Sequence, residues 1–261
     1  MTTNITNAMS NAPGDEAARL VDAVLFDLHN TTLSGDYAVV GVAHVGELAA
    51  QRWGVDPASV PPAFGPALKT AMQAYIDLDY YPMRDMFVDA WRIVGRELGA
   101  DPGDDELSEL EVAFWTAAIP AARPVDGAIE TFDALRAAGI KVGVVSIADD
   151  WVFDALIDQL GFADHLDVAV CSETAKSCKP HAGIFRYALD ALGVPAERAM
   201  FVGDTIDSDV VGGNRLGMVT VHIPGGGHNA DIDAFGHDPS SVPDHRLTSL
   251  REVVDLVDLV V

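Results

Sequence analysis

The sequence predicts a doubly wound α/β core, with a Rossmann-like parallel sheet, carrying an inserted helical domain after its first strand. Short apolar runs alternating with amphipathic segments predict the core. A long stretch of purely helical period predicts the insert. Ala23-Val24-Leu25-Phe26 has the continuous apolar character of a strand buried on both faces, as do Val142–Val145, Val168–Val170, Ala199–Val202 and Val219–Ile223. Between them, Ala128–Ala138, Trp151–Leu160 and Ile184–Leu192 have helical spacing and are closed by Gly139, Gly161 and Gly193. Strand-helix alternation of this kind gives parallel βαβ units. The alternation stops after Leu33 and resumes near Val125. In between, Tyr37–Arg52, Ala67–Leu78, Met86–Leu98 and Glu106–Ala118 read as helices, with breaks at Gly54, Pro57, Pro61-Pro62, Pro82 and Asp101-Pro102-Gly103. The stripe Phe87, Trp91, Val94, Leu98 reads as the core of this insert. The Gly/His/Asp-rich stretch from Pro224 to Pro243 reads as irregular, and Arg246–Val257 as a last strand-helix unit.

Composition narrows the function. The 261 residues carry a formal net charge of −24, which argues against a nucleic-acid partner, since replacing phosphate counterions takes clustered Lys and Arg. An anionic substrate must then be drawn in by a metal or by local cations, against the overall field. No apolar run reaches membrane-spanning length, and Met1–Glu16 lacks the basic and apolar regions of a signal peptide. The expectation is a cytoplasmic protein with residues 1–20 as a flexible tail. Cys171 and Cys178 have no metal-ligand spacing and read as buried free thiols. His222, His228, His237 and His245 are irregularly spaced and read as surface or loop residues.

Ligands of open α/β sheets gather at the carboxyl ends of strands. Here Phe26-Asp27-Leu28-His29-Asn30-Thr31-Thr32-Leu33 follows the first strand and Ser146 follows another. Lys179-Pro180 precedes a helix starting near Ala182, and Gly203-Asp204-Thr205-Ile206-Asp207-Ser208-Asp209 follows a third strand. A carboxylate ending a buried apolar strand, as Asp27 does, needs a partner or a metal. Asp209 could alternatively N-cap a helix starting at Val210.

In this order the four segments resemble the four motifs of the haloacid dehalogenase (HAD) superfamily of hydrolases. The resemblance covers Ala23–Leu33 and about Val125–Ile223. It implies a core of residues 21–34 and 122–261 and a helical C1 cap of residues 35–121. About thirty residues separate Ser146 from Lys179, too few for a large cap of the second type. It further implies a Mg²⁺-dependent hydrolase of small phosphorylated metabolites, with Asp27 as nucleophile forming an aspartyl-phosphate. Asp27, the His29 carbonyl and Asp204 would hold the metal, with Asp209 orienting its shell and Lys179. Ser146 and Lys179 would hold the phosphoryl oxygens, and Thr31 would lie with them on the substrate side. Capped relatives are often dimers, so a homodimer is compatible with the resemblance without being required by it.

The first motif departs from the family's phosphatases, which carry a second Asp as acid/base where this chain has His29. Imidazole, titrating at roughly pH 6.5, can in principle take either role. Alternatively the chain resembles the phosphonatases, which cleave P–C bonds through a cap lysine, here Lys69 as the one Lys of the insert. A third reading is a non-catalytic relative that binds a ligand or partner. Gly203-Asp204 argues against the metal-free dehalogenases.

Overall fold

The computed structural model describes residues 21–225 and 239–258. The expected tail (residues 1–20), His228, His237 and most of the loop between Pro224 and Pro243 lie outside them. The described chain runs β1 (Ala23–Phe26), α1 (Asp36–Trp53), α2 (Val60–Met72), α3 (Met83–Glu97), α4 (Asp104–Ala118), α5 (Ala128–Ala137) and β2 (Lys141–Ser146). It continues through α6 (Asp150–Leu160), β3 (Val168–Cys171), α7 (Ser172–Ala175), α8 (Ala182–Leu192), β4 (Ala199–Gly203) and α9 (Val211–Leu216). It ends with β5 (Val219–His222), β6 (His245–Arg246) and α10 (Glu252–Asp258).

The six strands form one parallel sheet in the order β3-β2-β1-β4-β5-β6. Strand alternation splits the apolar residues of β1 between two faces. Val24 and Phe26 join a core with α5, α6 and the helical insert, where Phe26 meets Phe132 at 5.2 Å between ring centroids. Ala23 and Leu25 join a smaller core with α8, where Phe185 packs edge-on to Phe201 at 4.9 Å. Phe26 pairs with Val144 on one side and Val202 on the other, so β1, β2 and β4 end within two residues of one another. Chain connections leave β1 in opposite directions at this point, which opens a crevice between β1 and β4.

Helices α1 to α4 follow β1 without an intervening strand. Phe64, Phe87, Trp91, Phe114 and Trp115 pack their interior, with Phe64 stacked on Trp91 at 4.2 Å. The expected boundaries of α2 were displaced. Pro61 and Pro62 occupy its first turn, where a helix needs no backbone donor, so the pair begins the helix instead of breaking it. The chain then leaves the helix after Met72 and passes through turns up to Asp77. Asp209 does not cap α9 either. It lies in a π-helical turn, Ile206–Val210, and its side chain is engaged elsewhere.

Candidate active site

At the end of β1, Asp27 is buried, and one carboxylate oxygen is ion-paired to the Lys179 ammonium. Local hydrogen bonds fix the turn that follows. The Thr32 hydroxyl donates to the Asp27 carbonyl at 2.9 Å, and Thr31 Oγ1 donates to Asp27 Oδ2 at 3.4 Å. Asn30 takes a left-handed φ of 59°, a conformation that Asn tolerates better than most side chains. Lys179 arrives on the segment between α7 and α8, donates to the Val145 carbonyl at 3.2 Å, and pairs with Asp209 Oδ1 at 2.7 Å. Gly203 makes the Asp209 approach possible, since a Cβ there would lie 2.3 Å from Asp209 Oδ2. The same Oδ2 accepts the Thr205 N–H at 3.0 Å.

Oxygens of Asp27, Asp204 and Asp209 lie within 4.8 Å of one another. Three carboxylates and one ammonium leave two negative charges uncompensated in a poorly solvated crevice. Burial, then the Asp27 and Asp209 carboxylates, push Asp204 up to about 8. Burial opposes the Lys179 charge, but Asp209 and Asp27 outweigh it and hold the ammonium above the ordinary lysine range. An oxygen-rich site with this charge deficit fits a hard divalent cation. Asp204 is also anchored from behind. His222, buried at the end of β5, lies with Nε2 2.9 Å from the Asp204 carbonyl, and Arg246 lies 2.9 Å from its Nδ1. His222 is therefore a core residue and not the surface or loop histidine that its spacing suggested.

The insert supplies the other wall. His29 Nδ1 lies 3.1 Å from Ser146 Oγ, so the serine expected to hold a phosphoryl group is also the histidine's partner. The imidazole faces Tyr37 of α1 and Trp115 of α4 at 6.0 and 6.5 Å between ring centroids. Burial, aided by the Lys179 charge, lowers its pKa to about 4. Two joints tie insert to core. Asp149, after β2, accepts the N–H groups of Met83 and Arg84 at 2.9 and 2.7 Å, capping α3 from across the crevice. Asp79 accepts the Ser177 hydroxyl at 2.8 Å and the Cys178 N–H at 2.6 Å, beside Lys179.

Asp27, His29, Thr31, Ser146, Lys179, Asp204 and Asp209 thus converge. Lys69 does not; it is exposed in the last turn of α2, and none of the contacts just described involves it. Asp149, Tyr37, Glu111, Trp115 and His222 were not foreseen. Glu111 had a usable signal, because it shares a helical face with Leu107 and Trp115 at four-residue spacing, and all three are buried.

A parallel sheet with a lysine-paired aspartate after its first strand, two further carboxylates beside it and a helical wall above defines an α/β enzyme core centred on an acidic crevice. The model of the haloacid dehalogenase-like hydrolases matches residues 21–217, and the chain belongs to that family. A glyceraldehyde 3-phosphate phosphatase of Methanopyrus kandleri is 35% identical over 165 residues, 62% of this chain and 68% of that protein. A ribulose-1,5-bisphosphate 5-phosphatase of Halopiger xanaduensis is 25% identical over 91% of this chain and 100% of its own length. Among solved structures, the magnesium-bound HAD-hydrolase YfnB of Bacillus subtilis superposes with a TM-score of 0.71 at 17% identity, covering 91% of this chain and 99% of that one. Among the described residues no helix is long and apolar enough to cross a membrane.

Proposed function

We propose that this hydrolase is a Mg²⁺-dependent phosphatase of small phosphorylated metabolites in which Asp27 is the nucleophile. The observation that carries the reading is the meeting of Asp27, Asp204, Asp209 and Lys179 at one crevice. The phosphatase names of the relatives support it. Asp27, Asp204 and the His29 carbonyl would hold the metal, with Asp209 beside them. Bound there, Mg²⁺ offsets the repulsion between the Asp27 carboxylate and a phosphate dianion.

An Asp27 oxygen attacks phosphorus, the ester P–O bond breaks, and its electrons leave on the alkoxide, which water protonates. Water then attacks the aspartyl-phosphate, releasing inorganic phosphate and restoring the carboxylate. Lys179 steadies the carboxylate before attack and the phosphoryl oxygens during transfer. A neutral His29 suits the second step, accepting a proton from water at Nε2 while Nδ1–H donates to Ser146 Oγ. The helical insert acts as the cap over this chemistry. The exposed position of Lys69 favours phosphoester over P–C cleavage.

The test is Mg²⁺-dependent hydrolysis of nitrophenyl phosphate by wild type, Asp27→Asn and His29→Asp. Turnover that falls by about a thousandfold or more in Asp27→Asn is the expected result. Removing the metal with EDTA should abolish turnover, and Mg²⁺ should restore it. No turnover from wild type or His29→Asp with Mg²⁺ bound would favour the non-catalytic reading.

A further inference from the structure

Strand register brings a histidine and an arginine into line with the acidic crevice. Gly203 of β4 pairs with His222 of β5, which pairs in turn with Arg246 of β6. Asp204 directly follows Gly203, so this file of residues ends beside a carboxylate of the site. His222 is only 4% exposed, whereas Arg246 lies exposed on the last strand of the sheet. Either nitrogen of a neutral imidazole can carry the proton, and here the partners decide which. The Asp204 carbonyl only accepts, so Nε2, 2.9 Å away, carries the hydrogen. The Arg246 guanidinium only donates, so Nδ1, 2.9 Å from it, is the acceptor. One tautomer satisfies both contacts.

The peptide group that His222 reaches is held at its other end as well. Its carbonyl oxygen takes the His222 proton, and its N–H, that of Thr205, donates to Asp209 Oδ2 at 3.0 Å. Asp209 Oδ1 pairs with Lys179, which also pairs with Asp27. One chain of polar contacts thus runs from Arg246 at the sheet edge to Asp27. The Asp204 side chain is guided separately, by the Thr205 hydroxyl on Oδ1 at 3.1 Å and by Gly225, where a Cβ would lie 2.8 Å from Oδ2. Such guidance has work to do, because oxygens of Asp27, Asp204 and Asp209 lie within 4.8 Å of one another and repel. We propose that His222, its tautomer fixed by Arg246, is a positioning residue that holds the Asp204 peptide against this repulsion and so raises the affinity for the divalent cation. This rests on the metal-dependent reading above. Neither side chain touches metal or substrate; both act through the Asp204 backbone. Outer partners of metal ligands are typically worth about 10–100-fold in affinity, and a contact made to the main chain belongs at the lower end.

The experiment titrates Mg²⁺ into the full chain by calorimetry, with thermal unfolding as the check on folding. His222→Met removes both donor and acceptor and should raise the Kd by about tenfold. His222→Gln, whose amide can donate to the carbonyl and accept from Arg246, should stay within about threefold of wild type. Equal affinity in wild type and folded His222→Met overturns the positioning role. So does a His222→Gln as weak as His222→Met, since ring volume would then matter and hydrogen bonding would not. If His222→Met does not fold, the tautomer decides. Nitrogen-15 NMR of labelled histidines near neutral pH should place the His222 proton on Nε2 alone, with its signals identified by their loss in His222→Gln. Arg246→Met should admit the form protonated on Nδ1. A wild-type proton on Nδ1, or a tautomer unmoved in Arg246→Met, overturns the proposal while leaving the metal reading intact. A wild type that binds no Mg²⁺ overturns both together.

Discussion

Asp27 and Lys179 could be singled out from the sequence because each segment ends an apolar strand or opens a helix, and strand ends meet at one edge of a parallel sheet. The energetics of their pairing are not written in the spacing. Lys179 stands between Asp27 and Asp209, all three nearly excluded from water. Such an arrangement adds little net stability compared with apolar packing, yet breaking it is costly because it strands the remaining charges. Lys179→Met should therefore lower stability by about 3–5 kcal/mol in urea unfolding near neutral pH. The deficit should shrink as pH falls and the stranded carboxylates become protonated. In the wild type the raised Lys179 pKa has the opposite linkage. Its contribution is complete below the unfolded lysine pKa and is lost as pH rises from there through the folded value. Glu111 has the same sign of linkage as Lys179, in a lower pH window. Burial first, then Asp149, lifts it from 4.5 to about 7, so the folded state binds more protons than the unfolded chain across that window. Stability should fall as pH rises from 4.5 to 7 through this group. Glu111→Gln should match wild type near the bottom of the window and exceed it above the top, by up to about 3 kcal/mol. Thermal melts of both proteins across the window check it, and parallel curves would refute the burial argument. The four-residue spacing of Glu111 with Leu107 and Trp115 signals the burial that dominates this shift, whereas the contribution of Asp149 comes from a distant element and leaves no mark in the spacing.

At the scale of elements, the core strands follow from composition alone, because a strand buried on both faces must be apolar throughout. Helices closed by glycine were equally plain, as Gly161 and Gly193 end α6 and α8 in the left-handed conformation. Where the sequence misled was α2. A Pro-Pro pair looks like a break, yet Pro61 and Pro62 fall in the first turn, and only the packing of Phe64 against Trp91 and Phe114 shows that the helix has already begun. The joints between insert and core were also illegible, since they pair a side chain with the backbone of a distant element. Asp149 is the clearest case. It sits at the position that would cap α6, but its carboxylate instead takes two N–H groups at the start of α3. Charge and hydrogen bonding at a helix N-terminus both favour a carboxylate there. Asp149→Ala should cost about 1–2 kcal/mol of stability, toward the upper end because the site is buried. It should also loosen residues 79–84, which lie between Asp149 and the Lys179 segment. Faster amide hydrogen exchange in that stretch, with protection of the central strands unchanged, is the expected pattern. A uniform loss of protection would show instead that Asp149 supports the whole core.

At the scale of the whole molecule, the charge of −24 sets a problem that the site solves locally. A phosphate dianion approaches a strongly negative body, and the one lysine at the crevice is already shared between two carboxylates. On the proposed mechanism the attraction that binds substrate would act at short range, through the Lys179 ammonium and a cation that Asp27 and Asp204 would hold. The repulsion acts at long range. Salt separates the two, because screening weakens distant interactions between exposed charges far more than buried contacts. Raising ionic strength from about 0.01 to 0.15 M shortens the Debye length from about 30 to 8 Å, less than the width of a domain. With Mg²⁺ saturating throughout, kcat/KM for nitrophenyl phosphate should then rise by about two- to fivefold, mostly through KM, because less of the negative surface is felt by the incoming anion. The same screening should raise the melting temperature, as self-repulsion of the folded chain declines. An enzyme whose substrate is steered by a positive surface shows the reverse, with kcat/KM falling steeply as salt is added. If that fall were seen here while the melting temperature still rose, the field at the mouth of the crevice would have to be positive despite the overall charge. Arg84, at the N-terminus of α3 beside Asp149, would then be the side chain to replace.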